Sequence, residues 1–164
     1  MQFSTRAFLY ALTVTAIFAE SAIASSLPRI DAIRESIGSL GKEYQASIEK
    51  FTQSPSQYFQ AQNQFQVAYA SSSELFQMDR ELESLATLVD MAILVSNPQY
   101  RAKALMYVSS KKSYIQKSLD MQVRYLESTL SKTGDEQLTK LLLRTRDLMR
   151  EAKTEVEHVS IPWK

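Results

Sequence analysis

The chain has 164 residues, of which 45% are hydrophobic, 23% charged and 10% aromatic, with a formal net charge of +1. It holds no cysteine, 1 histidine, 3 glycines and 4 prolines, which excludes disulfides, thiolate–metal centres and a multi-histidine metal cluster within one chain. So few glycines leave little for phosphate-cradling loops or a wound α/β sheet, and the near-neutral balance argues against nucleic acid as a partner.

Residues 1–24 read MQFSTRAFLYALTVTAIFAESAIA. Arg6 supplies a positive start, Ala7 to Ala19 an apolar stretch, and Ala22-Ile23-Ala24 a small-x-small cleavage site. This is the pattern of a cleavable secretory signal peptide. A spanning anchor needs about 20 apolar residues, and Glu20 interrupts this run too early. The expectation is an exported chain whose residues 25–164 form one helical-bundle domain. A secreted domain without cysteine must hold by its core alone. The absence of both disulfides and N-x-[ST] sequons points first to a bacterial periplasm and second to the extracellular medium.

Prolines and glycines punctuate the rest into four predicted helices, about 28–52, 55–96, 98–132 and 135–159. In the first, Leu27, Ile30, Ile33, Ile37, Leu40, Tyr44, Ile48 and Phe51 recur at steps of three and four, a narrow apolar stripe. Ser54-Pro55 opens the second by pairing a capping residue with a proline at the first helical position. Its length is far above the usual mean, and Ser71-Ser72-Ser73-Glu74 in its middle contains a capping-box pattern. A continuous helix two gives a long hairpin with helix three and a tip projecting at Pro98; a break there gives five helices. The fold expected is therefore an all-α antiparallel bundle of four or five helices.

Two stretches of helix two stand out. Between Lys50 and Glu74 there is no charge, and Tyr58, Phe59, Phe65 and Tyr69 alternate with six glutamines. From Leu85 to Val95 the chain is apolar nearly all round, including Leu88, Met91, Ile93 and Leu94. Such a helix wants cover on every side, as core in a five-helix bundle or as an interface at a projecting tip.

Asn97-Pro98 opens helix three, whose apolar positions are Leu105, Val108, Ile115, Leu119, Val123, Leu126 and Leu130. Residues 54–96 carry one base against five acids, whereas 97–133 carry seven bases against two acids. That opposition favours antiparallel pairing of the two helices. It also makes Lys103, Lys111, Lys112 and Lys117 candidates for contact with an anionic partner. Thr133-Gly134-Asp135 reads as a stop, a left-handed glycine and a new cap. Helix four then presents Leu138, Leu141, Leu142, Leu148, Met149, Ala152, Val156 and Val159.

Catalytic and metal motifs fail on inspection. Glu155-x-x-His158 is half of a di-iron carboxylate signature, and the second histidine it needs does not exist in the chain. A b-type haem between the first and last helices would lack its second ligand, since helix one contains no methionine. Ser39-x-x-Lys42, Ser47-x-x-Lys50, Ser109-x-x-Lys112 and Lys132-Thr133-Gly134 match fragments of penicillin-recognising motifs, without the S-D-N element or the mixed fold they require.

No enzyme, cofactor or metal site is expected. The expected function is binding in the cell envelope, as an assembly component, chaperone or inhibitor, with an envelope protein or a second copy as partner. Its contact residues would be Leu88, Met91, Ile93, Leu94, Tyr100 and Tyr107, or the neutral segment with Tyr58, Phe59 and Phe65. Membrane contact would be limited to the signal peptide or weak peripheral association. The alternative is a bundle that carries lipid or a small apolar ligand.

Overall fold

The apolar stripes wind into four helices in a computed structural model that describes residues 27–52 and 61–163. They are α1 (Pro28–Thr52), α2 (Gln62–Ile93), α3 (Pro98–Leu130) and α4 (Glu136–His158). No strand occurs among the described residues. The stretch expected to be a leader, the expected Ser54-Pro55 helix start, Tyr58 and Phe59 lie outside them. Each helix packs on its two neighbours in a ring, α1 on α2, α2 on α3, α3 on α4 and α4 on α1; of the diagonals, α2 and α4 touch only weakly.

Polar links fix the direction and register of every edge. Arg34 of α1 donates to Asp79 of α2 at 2.9 Å. Lys111 of α3 reaches Glu81 of α2, and Gln122 donates to Glu74. Lys153 and Arg150 of α4 pair with Asp120 and Glu127 of α3. Arg29 and Arg144 close the ring between α1 and α4, on Glu155 and Glu43. On the last three edges the residue numbers rise on one partner as they fall on the other, and on the first Tyr44 stands beside Ser71 as Arg34 does beside Asp79, so all four edges are antiparallel. Each such partly exposed pair contributes only about 0–1 kcal/mol, but together they select one helix arrangement over its alternatives. The opposition of charge between helices two and three is only partly used across their own seam. Lys111–Glu81 is the ion pair there among the described residues, while Asp79 and Glu83 turn to Arg34 of α1.

α2 is continuous through Ser71–Ser73, so the described residues form four helices and not five. Ser71 is fully buried at the level of Tyr44, and burial of the flanking apolar face outweighs the weak helix propensity of three serines. The core follows the expected stripes on α1 and, without exception, on α4. It departs from them on α3. Leu105 is exposed, Val123 and Leu130 are only partly covered, and Gln122 and Thr129 are buried instead. Val108, Ile115, Gln122 and Thr129 step by sevens, so the polar pair occupies the inward positions of that repeat.

The helix ends are capped largely by side chains. Asn97 accepts from the Gln99 amide at 2.9 Å, with Pro98 in the first turn. Asp135 accepts from the Leu138 amide at 2.7 Å. Gly134 is not left-handed as expected. The last carbonyls of α3 are satisfied instead by hydroxyls: Ser131 donates to Ser128 and Thr133 to Thr129, removing the need for a left-handed cap.

Candidate functional site

The Leu85–Val95 stretch is resolved residue by residue. Leu85, Ala86, Val89 and Ala92 are core. Leu88 and Ile93 are half-buried and pack against that core, Met91 is also half-buried, and Leu94 is 74% exposed. The end of the chain comes to the same end of the bundle. After α4 the backbone runs on past Val159, whose carbonyl accepts from Lys112, to Trp163, whose ring lies 4.9 Å below the Arg101 guanidinium. Arg101 also donates to the Val95 carbonyl at 2.9 Å, so one side chain joins the α2–α3 loop to this tail.

The four lysines divide. Lys111 is held by Glu81 and lies over the Tyr114 ring, and Lys112 donates to the Glu157 and Val159 carbonyls at the end of α4. A cation there also complements the helix dipole. Lys103 and Lys117 stay on the surface; Lys103 lies 5.8 Å from the Tyr100 ring. Of the aromatics proposed for the neutral segment, Phe65 is half-buried and stacks on the exposed Tyr69 at 6.1 Å.

Tyr100 and Tyr107 are both exposed, and they belong to a larger feature than the sequence reading gave them. Tyr100, Tyr107, Tyr114 and Met121 fall seven residues apart along α3, and all four are exposed. Tyr125, one turn beyond Met121, extends the stripe. It lies on the α2 side of α3, where Tyr114, Ser118, Met121 and Tyr125 form one wall of an open groove whose other wall is Glu74 and Gln77 of α2. Leu105 and Met106 add apolar surface further round the helix. The signal for this stripe was present in the sequence as a repeat of seven, running beside the buried repeat of seven on the same helix.

A second groove runs between α1 and α2, lined by Gly38, Gly41, Lys42, Ser72 and Phe76. Arg34 sits at its end, and its hydrogen bond to Asp79 holds the guanidinium still more firmly protonated. The hydrogen bond from Arg144 to Glu43 does the same on the opposite edge.

The buried polar groups cluster at mid-bundle. Tyr44 is fully buried and shares a 3.0 Å hydrogen bond with the Thr145 hydroxyl. Thr145 donates its own proton to the Leu141 carbonyl at 2.8 Å, which makes Tyr44 the donor. Burial pushes the Tyr44 hydroxyl up to about 12, opposed by the neighbouring Thr145 and Ser71 hydroxyls and by Arg144. Glu155 and His158 stand at the end of α4, with Glu155 bound to Arg29. Among the described residues no group of histidine and carboxylate side chains could hold a metal ion, and no helix is long and apolar enough to cross a membrane.

Comparison with protein families, with curated proteins and with solved structures finds no match to this chain.

Proposed function

We propose that this chain is a non-enzymatic interaction module of the cell envelope, exported through its leader, which binds a protein partner on the outer face of α3. The observation that carries this reading is the row of exposed Tyr100, Tyr107, Tyr114 and Met121 on one side of a single helix. Aromatic residues and methionine are the types enriched where proteins meet, because they bury large area while a tyrosine hydroxyl keeps a hydrogen bond at the edge. Leu94 and Tyr100 continue the surface to the hairpin tip, so the contact region foreseen around the α2–α3 loop becomes its end and not its centre.

The lipid- or ligand-carrier reading draws less support. The bundle axis is filled by packed side chains, and the grooves between α2 and α3 and between α1 and α2 are open. The test is a double substitution, Tyr107→Ala with Met121→Ala. Both residues are 67% exposed, so the melting temperature should stay where it is, while capture of the partner falls at least tenfold. Unchanged capture overturns the assignment of this face. Export is tested by sequencing the amino terminus of the mature protein, which should begin at Ser25.

A further inference from the structure

We infer that the partner on α3 is itself an amphipathic α-helix with an acidic flank, seated in the α2–α3 groove as a fifth member of the bundle. This rests on the proposed function and gives the partner a chemistry. The first ground is spacing. Tyr100, Tyr107, Tyr114 and Met121 repeat at seven, a period that only a helix laid alongside in coiled-coil fashion matches over several turns. From Tyr100 to Met121 they span 22 residues, or about 32 Å of helix. The inward residues Val108, Ile115, Gln122 and Thr129 repeat at the same seven. The two stripes therefore turn together, and a helix following the outer one continues the packing that α2 and α4 already make with the inner one.

The second ground is charge. Along the outer edge of the stripe α3 carries Lys103, Lys117 and Arg124, all exposed, and Lys117 also reaches the α2–α3 groove. Lys117 and Arg124 have no acidic partner among the described residues. The only acids of α3, Asp120 and Glu127, lie one turn from these bases on the α4 side and are taken by Lys153 and Arg150 of α4. A second copy of this chain would bring these bases against their own kind, which is unfavourable. A helix with Asp or Glu along one edge would meet them favourably, and its other edge would face Gln77 and Glu74, where neutral polar residues fit. Helix-in-groove docking of this kind reads as anchors at heptad spacing with flanking charge pairs.

The experiment uses the full chain in the cells that make it, with the photo-crosslinker p-benzoylphenylalanine placed at 107, 114 or 121 in turn, and the linked residues mapped by mass spectrometry. The expected result is that all three positions join one segment of one other protein, at points stepping by about seven residues, with acids along that segment. Lys117→Glu combined with Arg124→Glu should lower the crosslink yield at least tenfold without shifting the melting temperature. Crosslinks to another protein without the seven-residue step, or unaffected by the charge reversal, overturn the acidic helix and leave the proposed function standing. Crosslinks only to phospholipid, to a second copy or to the first 26 residues of the same chain, or none at all, overturn both.

Discussion

Tyr44 offers the sharpest test of how the bundle is held. Tyr44→Phe keeps the ring and removes one buried hydrogen bond. Thr145 still donates to Leu141, so only its acceptor role is lost, and the expected cost is about 1 kcal/mol. For a domain of this size that corresponds to roughly 3 °C in melting temperature. Thr145→Val is the more damaging half, because it leaves the Tyr44 hydroxyl buried without its acceptor, at about 1–3 kcal/mol. The double variant should cost no more than the worse single one, giving a coupling of about 1 kcal/mol or more in a urea-unfolding cycle.

Alkaline pH provides an independent reading of the same group. The hydroxyl is raised to about 12 in the folded protein, against about 10 when unfolded. Its contribution is therefore complete below pH 10 and is lost as pH rises from about 10 to 12. The loss amounts to about 2–3 kcal/mol, and Tyr44→Phe should abolish it. Simple additivity of the two substitutions, or an alkaline loss of the same size in Tyr44→Phe, would refute the buried donor–acceptor assignment.

Three further outcomes follow from local geometry. Gly38 and Gly41 are helical, and a β-carbon at either would meet nothing within 4 Å, so Gly38→Ala and Gly41→Ala should each stabilise the protein by about 0.5–1 kcal/mol in urea unfolding. Asp135→Ala removes the cap of α4 and should cost about 1 kcal/mol, with Asp135→Asn recovering most of it. Trp163 is the chain's 1 tryptophan, so Arg101→Ala should change its fluorescence and speed amide exchange at the α2–α3 loop while the rest of the bundle keeps its protection.

The helical class, the four segments and the inward stripes of α1 and α4 were legible because local period, capping residues and prolines act within a few residues of one another. Asn97-Pro98 and Asp135 declare helix starts whatever surrounds them. The fate of Ser71–Ser73 was not legible. A capping box and a continuous helix are both locally acceptable there, and only packing of Ser71 beside Tyr44 chose between them. The same holds for α3. Its sequence carries two repeats of seven, and nothing within one helix says which faces the axis; α2 and α4, arriving from distant parts of the chain, buried Gln122 and Thr129 and left Tyr107 and Met121 outside. Lys112 looked like a surface charge until the end of α4 came to rest beside it, and Trp163 carried no signal until the tail met Arg101. Sequence determined what each segment is, because those forces are short-ranged; the tertiary structure decided which faces remain for a partner, because that depends on how the faces of four helices are shared out.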